Sequence, residues 1–88
     1  MNWNFESLKE MKEFAKNLSE VLESCGLKGL SNEVLEFKSN YYTTSSEYLG
    51  EFRLVLNKVL IDGKDKLSYE WLESIDKGIE AINKSLSN

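Results

Sequence analysis

The chain has 88 residues, enough for one small domain with one hydrophobic core. It has no histidine, no proline and a single cysteine, so its composition excludes a disulfide framework, a zinc ribbon and a Ser-His or Cys-His catalytic pair. Fifteen acidic residues against eleven basic ones, with Arg53 the only arginine, give a net charge of −4 and argue against a nucleic-acid surface.

The first segment predicts a long amphipathic helix over residues 5–25. Gly26 can adopt the left-handed conformation that ends a helix, and Leu27 is placed to contact Leu22 as in a Schellman motif. The apolar residues recur at alternating spacings of three and four, which places them on one helix face together with Cys25, expected to pack as a small hydrophobe. They are Leu8, Met11, Ala15, Leu18, Leu22 and Cys25.

A second, shorter helix is predicted over residues 31–41. Ser31 suits the N-cap position, where its hydroxyl would accept a hydrogen bond from a free backbone N–H. Leu30 and Leu35 then occupy the two positions of a hydrophobic staple. The helix should end before the Thr/Ser run at 43–46, because these side chains favour caps and turns. Its expected apolar face is Leu30, Val34, Phe37 and Tyr41.

The third helix is predicted over residues 45–61. Thr44 and Glu47 match a capping box, in which each side chain bonds the other residue's backbone N–H. Asp62 and Gly63 provide the stop signal. One broad apolar face follows from the helical spacing of Tyr48, Leu49, Phe52, Val55, Leu56, Val59 and Leu60.

The fourth helix is predicted over residues 69–86, with Ser68 as its N-cap and Leu67 and Leu72 as a second staple. Four helices with short connections favour an all-α fold, a small antiparallel bundle of three long helices and one shorter helix. The whole chain, 1–88, is expected to form a single domain. Its expected core is Leu18, Leu22, Phe52, Val55, Val59, Ile75, Ile79 and Ile82.

The third helix also carries apolar residues opposite its main face. Two interpretations stay open: the helix is central and buries both faces, or the second face is a stripe that binds a partner or a second copy. Tyr41 and Tyr42 precede a turn, so at most one ring can point to the core, and edge aromatics are frequent at interfaces. The candidate protein-binding residues are therefore Tyr41, Tyr42, Gly50, Leu54, Asn57 and Ile61.

Other chemistries are tested by their motifs, and none is matched. The segment 62–73 has the length of a calcium loop, but Lys64 and Lys66 stand where oxygen ligands are needed. Ser31 lacks the Asp-Ser-Leu context of an acyl carrier attachment site. We therefore expect no catalytic residue, no metal and no cofactor, and no enzymatic activity.

The chain opens without the basic and then apolar stretch of a secretory signal, and no apolar run reaches the roughly 18 residues of a membrane span. A lone cysteine suits a reducing compartment. These features favour a cytoplasmic location and no membrane partner.

The general plan, acidic, helical and close to ninety residues with the Tyr41-Tyr42 pair, is similar to that of immunity proteins of nuclease bacteriocins. No recognition helix can be aligned, so the similarity is one of class and identifies no family. The expected function is a protein-binding module that neutralises or regulates a basic protein, in the manner of an immunity protein or antitoxin. The alternative is a homo-oligomeric structural bundle without catalytic activity.

Overall fold

Four α-helices form the computed structural model of the chain, which describes residues 3 and 5–87. The helices are α1 (Leu8–Ser24), α2 (Lys28–Ser39), α3 (Ser45–Asp62) and α4 (Tyr69–Leu86). The described residues contain no strand. α2 has 12 residues, against 17 or 18 in the others. The predicted all-α bundle of three long helices and one shorter helix is therefore confirmed.

The bundle consists of two helical hairpins. α1 packs on α2, α3 packs on α4, and α2 joins the pairs by packing on α3. Because the links at 25–27 and 63–68 are short, the helices of each hairpin run antiparallel.

The link between α1 and α2 is the predicted Schellman motif. Gly26 has φ of 80°, the Leu27 N–H donates to the Leu22 carbonyl (2.8 Å) and the Gly26 N–H donates to the Glu23 carbonyl (3.1 Å). These bonds satisfy the carbonyls that an ending helix leaves free.

The predicted start of α2 at Ser31 is wrong. The helix begins at Lys28, directly after the Schellman motif, and its N-cap is Leu27, whose side chain makes no capping bond. Ser31 therefore lies inside α2, where its buried Oγ donates to the Ser19 carbonyl of α1 (2.8 Å). Leu35 is 46% exposed, so the proposed Leu30–Leu35 staple does not form.

α1 begins at Leu8, later than the predicted residue 5. Ser7 is its N-cap and accepts a hydrogen bond from the Glu10 N–H (3.3 Å). Phe5 precedes the helix and packs its ring on Phe14, with ring centroids 5.0 Å apart. On α4, a Cβ added at Gly78 would lie 3.3 Å from the Phe5 ring, so the glycine makes room for this contact.

α3 and α4 begin where the sequence predicts. The Thr44 hydroxyl accepts from the Glu47 N–H (3.1 Å), which is half of the predicted capping box. The Glu47 carboxylate instead accepts from the Thr43 hydroxyl (2.6 Å). Ser68 caps α4 by accepting from the Trp71 N–H (3.3 Å).

An aromatic cluster occupies the centre of the core. The Phe52 ring stacks on Phe37, with centroids 4.9 Å apart and planes 10° apart. Phe14 lies 6.5 Å from Phe52 and 5.6 Å from Trp71, and Trp3 packs on Phe14 at 5.0 Å. The sequence periodicity of α1 did not select Phe14, although it is fully buried.

Six of the eight predicted core residues are fully buried: Leu18, Leu22, Phe52, Val59, Ile75 and Ile82. Val55 and Ile79 are only half-buried, which corrects the prediction for both. Each lies at the edge of its helix's buried face, where a bundle of four helices leaves a flank open. Cys25, also expected in the core, is half-buried and packs against it.

Leu22→Ala tests the core. Because Leu22 is fully buried, its truncation removes apolar contacts and leaves a cavity, at a cost of about 2 to 5 kcal/mol in the free energy of unfolding. Urea denaturation measures the loss. Leu35→Ala, at an exposed leucine of α2, is the matched control and should cost under about 1 kcal/mol. Equal costs at the two sites would contradict the packing.

Gly26→Ala and Gly29→Ala should change stability in opposite directions. Alanine is strained at the positive φ of Gly26 and should destabilise the protein by about 1 kcal/mol. Gly29 lies within α2 and a Cβ there meets nothing within 4 Å, so alanine should stabilise by about 0.5 to 1 kcal/mol. Melting temperatures of the two variants that move together would be inconsistent with the Schellman motif.

Candidate protein-binding surface

The outward face of α3 carries the predicted apolar stripe, residues Gly50, Leu54, Asn57 and Ile61, called here the α3 stripe. Leu54 is 62% exposed and Ile61 is 75% exposed, so the interpretation in which both faces of this helix are buried in the monomer is wrong. Asn57 is exposed between them and Gly50 is half-buried. Ile61 is eleven residues after Gly50, so the stripe spans about 16 Å along the helix.

The two predicted tyrosines lie beside one end of the stripe. Tyr42 is half-buried and its hydroxyl donates to the Phe37 carbonyl (3.0 Å). The predicted end of the second helix at residue 41 is wrong: α2 ends at Ser39, so Tyr41 lies outside the helix and is 89% exposed instead of on its apolar face. Both tyrosines line a shallow cleft with Gly50 and Glu51. The pKa of Tyr42 is raised above its usual value, mainly because the side chain is partly buried. A hydrogen bond with Asn40 lowers the pKa and the nearby Glu51 charge raises it, but both effects are smaller than that of burial.

A groove lies at the other end of the stripe, between the last turn of α3 and the first turns of α4. Its volume is about 690 Å³, within the range of roughly 300 to 1,000 Å³ typical of binding pockets. The lining is Leu60, Ile61, Lys64, Tyr69, Leu72, Glu73 and Asp76, called here the α3–α4 groove. The structure thus places Ile61 in a concave, mainly apolar site, well away from the Tyr41-Tyr42 pair.

Sequence reasoning missed Tyr69, which is 77% exposed in this groove. A large aromatic residue immediately after the Ser68 cap, off the apolar face of α4, was the available signal. The proximity of Tyr69 to Ile61 depends on how α3 and α4 pack, and the periodicity of either helix alone does not predict that packing.

Acidic side chains line both flanks of the α3 stripe. On the α4 side, Glu73 and Asp76 are at the groove. On the α2 side, Glu33, Glu36 and Glu51 line one cleft with Val55.

Basic groups close to the stripe and the groove are fewer, and three of them already have partners. Lys58 forms an ion pair with Glu33 (2.8 Å), and the hydrogen bond with Glu33 raises the pKa of the lysine. Arg53 donates to the Asn83 side chain of α4 (2.8 Å). Lys77 forms an ion pair with the groove residue Glu73 (3.3 Å), and Lys64 lies at the groove.

No other chemical centre emerges from the described residues. They contain no group of three or more histidine, cysteine, aspartate or glutamate side chains that could hold a metal ion. Within this part of the chain, no helix combines the length and apolar character needed to cross a bilayer.

Comparison with known proteins returns no matching family model, no matching curated protein and no matching solved structure.

Tyr48 is a buried titratable group beneath the Tyr41-Tyr42 region. Its hydroxyl has no hydrogen-bond partner among the described residues, and burial raises the pKa of Tyr48 to about 12. The ring packs on Phe37 and Tyr42, with centroids 4.9 and 5.6 Å away. The residue therefore contributes to the core mainly through its ring.

Tyr48→Phe should leave stability at neutral pH unchanged or slightly higher, because it removes a buried hydroxyl without breaking a hydrogen bond. In the wild type, the raised pKa means that the unfolded chain loses the Tyr48 proton first, so stability should fall from about pH 10 towards pH 12. The free energy of unfolding of Tyr48→Phe, measured by urea denaturation, should fall less than that of the wild type between about pH 10 and pH 12.

Tyr42→Phe is the control, because it removes the hydrogen bond to the Phe37 carbonyl and should cost about 1 kcal/mol already at neutral pH. Identical alkaline profiles for wild type and Tyr48→Phe would show that the Tyr48 hydroxyl is not held in its protonated form by burial.

Proposed function

We propose that this chain is a cytoplasmic, non-catalytic protein-binding module that neutralises or regulates a basic protein partner through the outward face of α3. The observation that carries the proposal is the exposure of Leu54 and Ile61 on a helix whose other face already fills the core. Isolated exposed leucines are ordinary, but here Leu54, Ile61 and Tyr69 lie along one stripe and its adjoining groove.

The physical support comes from what the stripe can contribute to an interface. Apolar and aromatic side chains form the buried centre of protein interfaces, while exposed charges mainly set orientation and association rate. The α3 stripe offers the first kind of group and its flanks offer the second. The tyrosine cleft at Gly50 extends the same surface towards α2.

Leu54→Asp tests the proposal. A carboxylate at an exposed position is tolerated in the free protein but is costly in a dry contact, so association should be lost while the helical circular dichroism and the melting temperature stay nearly unchanged. The assay compares the proteins captured from an extract of the source cell by wild type and by the variant. A partner should be retained by wild type and lost with Leu54→Asp.

Leu35→Asp is the matched control, since it places the same charge at an exposed leucine of α2, outside the α3 stripe. It should retain the captured protein. Loss of the partner with both variants, or with neither, would refute the assignment of the surface. Analytical ultracentrifugation of the wild-type chain should show a monomer, and a stable dimer abolished by Leu54→Asp would favour the homo-oligomeric bundle instead.

A further inference from the structure

The α3–α4 groove has an apolar interior that suits a large aliphatic side chain. Ile61 and Tyr69 are well exposed at the groove, while Leu60 and Leu72 are half-buried beside them. Ile61 is seven positions after Leu54, so the two exposed side chains lie two turns apart, about 10 Å, on one line. A partner helix with apolar residues at positions i and i+7 has the same repeat.

The acidic side chains beside this line have a regular arrangement. On α4, Tyr69, Glu73, Asp76 and Glu80 repeat at spacings of four, three and four, so they occupy one flank of that helix. This is the spacing of the α3 stripe itself. Three carboxylates therefore follow Tyr69 along α4, and Glu33, Glu36 and Glu51 lie on the opposite side of the stripe.

Gly50 adds space at the far end of the stripe. A Cβ built on Gly50 meets no atom within 4 Å, so the space that a side chain would occupy at this glycine is open. An incoming backbone can therefore come near α3 at this position.

We propose that the α3 stripe and the α3–α4 groove bind a basic amphipathic helix, whose apolar ridge contacts Leu54 and Ile61 and whose lysines or arginines reach the carboxylates on both flanks. The inference rests on the proposed function and names the chemistry of the partner segment. Charge complementarity selects this occupant, because an acidic helix would place like charges beside Asp76 on one flank and beside Glu36 and Glu51 on the other. Glu73 is already paired with Lys77 (3.3 Å) and adds less to this preference. An amphipathic helix laid in an apolar groove is an established mode of recognition.

The test uses three synthetic peptides of about 18 residues, which as helices would span about 27 Å, the length of α3. The first has leucines at i, i+3 and i+7 spacing flanked by lysines. The second keeps the leucines and replaces every lysine with glutamate. The third has the composition of the first with the leucines scattered around the helix. Backbone amide shifts and association kinetics are measured with the whole chain.

The lysine peptide should bind and shift the amides of the α3 stripe and the α3–α4 groove, and the other two should bind at least about tenfold more weakly. Raising the salt concentration should slow association of the lysine peptide markedly and change its dissociation less. Equal binding of the lysine and glutamate peptides, shifts confined to other surfaces, or no binding by the lysine peptide would each overturn the inference.

Two variants locate the contact. Ile61→Ala should lower the affinity for the lysine peptide at least about fivefold, as expected for an anchor in a groove. Asp76→Lys should slow its association at least about threefold, whereas Glu20→Lys, which makes the same change in net charge on α1, should slow it less than about twofold. If Asp76→Lys and Glu20→Lys slow association of the lysine peptide equally, net charge alone acts and the groove assignment is overturned.

The outcomes also separate this inference from the proposed function. If Leu54→Asp releases the captured protein but the chain binds the lysine and glutamate peptides equally, the protein-binding surface is supported and the proposed basic helix is refuted. A dimer of the whole chain that excludes the lysine peptide would identify a second copy as the occupant and would likewise overturn the basic helix.

Discussion

The stacking of Phe52 on Phe37 is the contact on which the arrangement of the bundle depends. Each hairpin pairs its own two helices, but the hairpins meet through a few large rings, with Phe52 of α3 against Phe37 of α2 and Phe14 of α1. Aromatic pairs contribute about 0.5 to 1.5 kcal/mol each beyond their buried area. Because the inner face of α3 is committed to these rings, the stripe that includes Leu54 and Ile61 has no place in the core.

The elements that local chemistry determines were predicted well. Thr44 and Ser68 cap their helices through bonds within four residues, and the Schellman motif at Gly26 is encoded by one glycine and the leucine after it. Ser31 shows the limit of this reasoning. Its hydroxyl suited an N-cap, but in the packed structure it donates a hydrogen bond to the carbonyl of Ser19, twelve positions earlier on α1.

The candidate site divides in the same way. Leu54 and Ile61 were recognisable because the periodicity of one helix separates two faces, and no tertiary information is needed for that. Tyr69 and the row of acids on α4 could not be assigned to the same surface, because their approach to Ile61 depends on how α3 and α4 pack. Phe14 was missed for a related reason: aromatic packing from α3, α4 and the preceding segment widens the buried face of α1 beyond its regular pattern.

The two-hairpin plan also bears on how quickly the native state forms. The helices of each hairpin are adjacent in sequence, so much of the packing is between neighbouring elements with short loops to close. Helical domains rich in such local contacts fold in roughly microseconds to milliseconds. The chain also lacks proline, whose isomerisation takes about 10 to 100 s and is a common cause of slow phases. The apolar side chains of a newly made chain are therefore exposed only briefly before the core closes over them, and Leu54 and Ile61 are left as accessible hydrophobic contacts.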